Sequence, residues 1–173
     1  MTILNNAVII LNGTSSSGKS SIAKELQEKF GIPVIHAQID NFLNIFNFEA
    51  FKTGSECLEA VNVGFGLFSQ SVADMCRTQY PIIIDTVFER AEYFQSTMGA
   101  IQNRKIYLIG IHCSVSELEI REKHRGDRRI GLAAEQFNIV HENMTYDLEV
   151  DTSTQTAEEC ASKIKAFVSQ TMS

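Results

Sequence analysis

The run Gly13-Thr14-Ser15-Ser16-Ser17-Gly18-Lys19-Ser20 has the residue types and spacing of a phosphate-binding loop. Its glycines let the backbone curl so that successive N–H groups face one anion. Lys19 adds positive charge at the outer phosphates, and the Ser20 hydroxyl can ligate Mg²⁺. The context is the one this chemistry needs. Ala7-Val8-Ile9-Ile10-Leu11 precedes the loop as a buried strand, and Ile22, Leu26 and Phe30 recur after it at helical spacing. The N-terminus of that helix lends its partial positive charge to the same point. Gly13 through Ser20, with Ser21 beside them, are therefore the candidate nucleotide-binding residues, and the motif predicts a nucleoside triphosphate.

Three further groups can do chemistry next to such a loop. Asp85 ends the apolar run Ile82-Ile83-Ile84, where an acid can hold Mg²⁺ beside Ser20, directly or through water; the alternative is a cap for the next helix. Asp40 follows Ile39 and precedes Asn41-Phe42-Leu43. There it can take the proton of an acceptor hydroxyl as a phosphoryl group moves, or merely cap the segment from Asn41 to Phe46. Arg125, Arg128 and Arg129 lie among Gly126 and Gly131, which suits a lid over about 126–139 bringing charge to the transferring group. A solvated, salt-bridged helix end is the alternative.

The elements that must carry these residues are legible as strands alternating with helices. Pro33–Ala37 and Pro81–Asp85 read as the second and third strands, Lys105–His112 as the fourth and Tyr146–Asp151 as the fifth. Long helical patterns run from about Ser55 to Arg77 and from Ala91 to Gln102. Ser114-Val115-Ser116-Glu117 and Thr156-Ala157-Glu158-Glu159 are capping-box candidates. Strands apolar throughout imply a parallel sheet covered on both faces, a three-layer α/β/α arrangement of the kind that binds ligands at the carboxyl edge. That edge collects Asn12, Asp40, Asp85 and Cys113. The crowded Phe42, Phe46, Phe48, Phe51, Phe65 and Phe68 read mainly as core, with part of the stretch available to line an apolar acceptor site. His36 and His112 read as satisfied strand histidines, and His141 has no role in the pattern.

The chain of 173 residues is 44% hydrophobic and 21% charged, with a formal net charge of -6 and no basic run, which argues against nucleic acid as a main partner. No apolar stretch approaches the roughly 20 residues of a membrane span. The N-terminus lacks signal-peptide features, and Cys57, Cys76, Cys113 and Cys160 are scattered as reduced, buried thiols would be. A single domain over 1–173 in the cytoplasm is the expectation.

Taken together the motifs resemble the chloramphenicol phosphotransferase family of P-loop small-molecule kinases. The likeness runs through Ile9–Gly13 into the phosphate-binding loop, Asp40, and Ile82-Ile83-Ile84-Asp85-Thr86-Val87-Phe88. It is densest in Arg125-Gly126-Asp127-Arg128, Gly131–Gln136, Val140-His141-Glu142 and Tyr146–Thr152. The resemblance implies a P-loop NTPase fold with a five-stranded parallel sheet like that of shikimate and nucleotide kinases, and ATP with Mg²⁺. It implies Asp40 as general base, Lys19, Arg125 and Arg128 as catalytic charges over the phosphates, and Thr152 in the loop beside the adenine. Ser20 and Asp85 would hold the metal. The family carries a second acid where this chain has Thr86, and the stretch 41–73 shows little likeness. The reaction type is therefore carried over, and the acceptor is not.

The leading expectation is an ATP-dependent O-phosphotransferase acting on a hydroxyl of a small, partly apolar molecule such as a chloramphenicol-like antibiotic. The alternatives are a nucleoside or metabolite kinase of the same fold, which would need more polar base-reading groups, and a nucleotide-binding switch. A GTP switch should carry an N-K-x-D motif, and none occurs.

Overall fold

The computed structural model describes residues 3–125 and 131–171. Five strands, β1 (Ala7–Asn12), β2 (Ile35–Gln38), β3 (Ile82–Thr86), β4 (Lys105–His112) and β5 (Leu148–Asp151), form one sheet in the order β2-β3-β1-β4-β5. Every pairing is parallel, so all the strands end on one edge. The helices are α1 (Lys19–Phe30), α2 (Asp40–Leu43), α3 (Gly54–Met75), α4 (Ala91–Ala100), α5 (Val115–Arg125), α6 (Leu132–Phe137) and α7 (Ala157–Gln170).

Strand β1 is buried at all its positions because helices cover both faces of the sheet. Alternate side chains divide between the layers. Ile9 and Leu11 join Ile22, Leu26 and Ile164 of α1 and α7, while Val8 and Ile10 join Phe68, Ile82 and Ile84 beneath α3 and α4. Each fully buried Ile, Leu or Phe contributes about 1.5–3 kcal/mol. Gly110 on β4 has a separate reason to lack a side chain: a Cβ there would lie 2.7 Å from the Tyr146 ring packed across it.

The second, third and fifth strands start one to two residues later than the sequence pattern predicts; Pro81 stands just before β3, where its carbonyl accepts from the Ile35 N–H at 2.9 Å. The capping box predicted at Thr156–Glu159 is complete, and a further one, Thr53–Glu56, opens α3. At Ser114 only half a box forms. Glu117 N–H donates to the Ser114 hydroxyl at 3.4 Å, while the Glu117 carboxylate pairs with Arg121 instead. Of the cysteines, Cys113 and Cys160 are buried, whereas Cys57 and Cys76 are only half-buried, and all four are free thiols. Among the described residues no helix is long and apolar enough to cross a membrane.

Candidate active site

A cleft of about 900 Å³ opens along the carboxyl edge of the sheet, with the phosphate-binding loop at its centre. The loop leaves β1 at Gly13, where a Cβ would collide with the Ile111 carbonyl, so only glycine lets it cross the sheet edge. Ser16 and Gly18 both take left-handed conformations, φ 62° and 92°, which turn the chain into α1 and aim its first N–H groups at the cleft. Ser16 pays strain for this that glycine would not. The hydroxyls of Ser16 and Ser17 are buried without a protein partner. Lys19, itself buried, lays its ammonium over the loop and donates to the Thr14 carbonyl at 2.7 Å. A concave set of N–H groups, two spare hydroxyls and an ammonium fits the oxygens of a polyphosphate.

Beside it, the Ser20 hydroxyl donates to Asp85 Oδ2 at 2.6 Å. Asp85 is buried, and burial alone would push its carboxyl pKa up. The His36 ring, the Lys19 charge and the Ser20 hydroxyl together outweigh that and hold it below the usual carboxylate value. The carboxylate stays ionised, and with Ser20 it forms a hard-oxygen pair of the kind Mg²⁺ takes alongside phosphate oxygens and water. Among the described residues no cluster of three His, Cys, Asp or Glu side chains could hold a metal unaided. Two neighbours of Asp85 were not legible beforehand. Gln38 reaches Oδ2 at 3.4 Å, and His36, read above as a satisfied strand histidine, brings Nε2 to 3.6 Å with no hydrogen bond of its own. The register that sets Gln38 opposite Asp85 explains both.

Asp40 lines the same cleft and is half-buried. It is the first residue of α2, and Ile39 occupies the cap position, so Asp40 does not serve as the N-cap. Around it the walls are apolar. Phe65 is the phenylalanine of the crowded stretch that reaches the cleft, stacked on Tyr93 at 3.8 Å between ring centroids. Phe42 and Phe68 pack edge to face in the core, and Phe46, Phe48 and Phe51 pack on one another.

At the other end of the cleft, Thr152 follows β5 and braces the loop: its hydroxyl donates to the Ser17 carbonyl at 2.8 Å. Arg121 of α5 holds Thr152 from both sides, donating to its hydroxyl at 3.1 Å and to its carbonyl at 2.8 Å. Arg121 escaped the sequence reading, although its spacing of four residues from Glu117 was visible. Gln136 of α6 accepts from the Ser15 N–H at 2.7 Å and donates to Glu89, a tie to the loop from within the segment 126–139 expected as a lid. Glu122, almost fully buried, accepts from the N–H groups of Gly131 and Ala133 and so secures the start of α6. Ser21 lines the cleft at the exposed side of α1. Arg125 is the last residue of α5; its side chain, with Gly126, Arg128 and Arg129, lies outside the described residues.

Behind the loop, Asn12 joins three segments. Its amide N–H groups reach the Val140 carbonyl at 3.0 Å and the Tyr146 hydroxyl at 2.8 Å, and its carbonyl accepts from the Phe88 N–H at 3.0 Å. His141 belongs here: its Nδ1 lies 2.7 Å from the Tyr146 oxygen, and its ring stacks on that of His112.

The model of a family described as chloramphenicol phosphotransferase-like protein matches residues 6–169. A proposed O-phosphotransferase of Mycobacterium tuberculosis is 25% identical over 179 residues, covering 91% of this chain and 80% of that protein. The APS kinase of Mycobacterium tuberculosis, solved in complex with AMPPNP and APS, has a TM-score of 0.71 at 14% identity, over 95% of this chain and 98% of that one. Shikimate kinase from Acinetobacter baumannii, solved in complex with shikimate, has a TM-score of 0.64 at 15% identity, over 95% and 93%. At such identities the structural likeness shows the fold, which is that of the P-loop kinases.

Proposed function

This chain belongs to the chloramphenicol phosphotransferase-like family of kinase-like phosphotransferases, and from that premise we propose that it moves the terminal phosphoryl group of ATP to a hydroxyl of a small, partly apolar molecule. A chloramphenicol-like antibiotic is one such acceptor. The observation that carries the reading is the convergence on one cleft of the phosphate-binding loop, the Ser20–Asp85 pair and a carboxylate at Asp40 facing apolar walls.

In this reading Lys19 exchanges the Thr14 carbonyl for phosphate oxygens, and the N–H groups from Gly18 to Ser20, at the turn into α1, hold the chain of phosphates in line. Ser20 and Asp85 would hold Mg²⁺, which when bound neutralises charge on the transferring group. Asp40 accepts the acceptor's hydroxyl proton while that oxygen bonds to phosphorus and the bond to the leaving ADP oxygen breaks. Arg125 and Arg128 are the proposed source of further positive charge. The adenine end is expected beside Thr152 and Arg121.

A phosphorylation screen with ATP and Mg²⁺ over hydroxyl-bearing antibiotics and metabolites, with products identified by mass, tests this. Product formation that requires Asp40 and Lys19 supports it. ATP turnover that never yields a phosphorylated organic product would count decisively against it.

A further inference from the structure

Gly64 is buried on the face of α3 that meets α2. A Cβ at this position would lie 2.7 Å from Leu43 Cδ2 and 3.3 Å from the Phe42 carbonyl oxygen. The Leu43 methyl therefore rests close to where a side chain at 64 would begin. Glycine inside a helix is destabilising relative to alanine, and here it permits a close approach between two helices. Gly66 differs: on the same helix, it has nothing within 4 Å of where its Cβ would stand.

The contact matters because Leu43 belongs to two places at once. It packs against the core beneath α3, and it lines the cleft beside Asp40, as do Val61 and Phe65 of α3. The neighbouring walls are held firmly. Phe65 stacks on Tyr93 at 3.8 Å between centroids, and the Tyr93 hydroxyl donates to Asn62 Oδ1 at 2.7 Å. The short helix α2 is anchored as well. Just before it, the Ile39 N–H donates to the Asp85 carbonyl at 3.1 Å, and the Phe42 ring packs edge to face on Phe68 with 5.4 Å between centroids. A group added at 64 thus meets one part that yields easily, the end of the Leu43 side chain. The core on its inner side is close-packed, so that end has room to move only toward the cleft.

We propose that Gly64 is a positioning residue that sets acceptor specificity through Leu43. By letting the Leu43 side chain lie back against α3, it keeps the apolar part of the cleft wide enough for an alcohol that carries a broad apolar group beside its hydroxyl. The inference rests on the phosphotransferase reading and narrows its acceptor class by shape.

Hexanol, cyclohexylmethanol and adamantylmethanol are neutral primary alcohols of increasing width. With ATP and Mg²⁺, and products identified by mass, the wild type should phosphorylate all three and favour the two wide ones in kcat/KM. Gly64→Ala should lower kcat/KM for adamantylmethanol about tenfold or more, mainly through KM, and change hexanol by less than about twofold. Adding Leu43→Ala to that variant removes the displaced methyl groups. It should bring adamantylmethanol back to within about threefold of the wild type, a recovery that a merely structural role does not predict. Gly66→Ala makes the same gain in helix propensity in open space, and should leave the preference among the alcohols as it was. Affinity for AMPPNP, read by calorimetry, should be the same in every variant, because none of these residues belongs to the phosphate-binding loop. Leu43→Ala alone keeps the question open to test if Gly64→Ala folds poorly: it should raise the preference for adamantylmethanol over hexanol about threefold or more, and an unchanged preference overturns the inference. An equal fall for all three alcohols in Gly64→Ala would mean that α2 and Asp40 had shifted together, and overturns it too, as does a loss that Leu43→Ala fails to reverse. A wild type that phosphorylates neither wide alcohol also overturns it, while the phosphotransferase reading is then decided by the broader screen of antibiotics and metabolites.

Discussion

His141 supplies the prediction whose magnitude follows most directly from the structure. Burial first, and then the His112 ring stacked on it with 4.1 Å between centroids, lower its pKa from 6.5 to about 4. Lys19 pushes the same way, and Glu149 opposes them. The neutral ring also has a use for its lone pair, since the Tyr146 hydroxyl can donate to Nδ1, and burial raises the Tyr146 pKa to about 12. The sign follows from which state binds the proton first. As pH falls below 6.5 the unfolded chain protonates this histidine, while the folded chain resists until about 4. The stabilisation is thus complete above about pH 6.5 and drains away as pH falls toward 4. At about 1.4 kcal/mol per unit the full gap is worth roughly 3 kcal/mol; for a half-exposed ring, solvent screening cuts this to about 1–2 kcal/mol. Urea unfolding at about pH 7.5 and about pH 5 reads it out. Wild type should lose about 1 kcal/mol more between the two than His141→Gln, which cannot titrate but can still accept from Tyr146. Equal losses in the two proteins would refute the reasoning.

Three shorter expectations accompany it. Lys19→Ala should abolish phosphoryl transfer in a purified-enzyme assay; near-normal turnover would remove the loop from the chemistry. Asp40→Asn should leave the melting temperature within a degree or two, because Ile39 holds the cap position, and lower transfer by about 10²-fold or more; an active variant would return Asp40 to a structural role. Gly13→Ala should be destabilising and should weaken nucleotide binding in calorimetry, because the new Cβ meets the backbone carbonyl of Ile111, which cannot rotate away; an unchanged melt would mean the loop crosses the sheet edge with more room than described.

What could be read in advance was whatever the chain writes locally. The phosphate-binding loop announces itself because one segment must supply strand, curl, ammonium and helix in immediate succession. Ile82-Ile83-Ile84-Asp85 announces itself because a carboxylate at the end of a buried strand needs a reason. Asp40 could be named but not separated from a helix cap, since the distinction depends on whether α2 begins at Asp40 or one residue later, and that is beyond the resolution of any local pattern. The groups that tune the site were hidden for a different cause. His36 meets Asp85 only because β2 pairs with β3 rather than with β1, and Gln136 meets Ser15 across more than a hundred residues of chain. His141 looked purposeless until Tyr146 folded back across Gly110 and offered it a hydroxyl. In each case one partner carries no sequence signal of its own: a glutamine, a glycine, a strand histidine. Their chemistry arises from adjacency in the sheet. The loop can be recognised from eight residues because its chemistry is local, whereas the walls of the cleft are gathered from segments far apart in the chain.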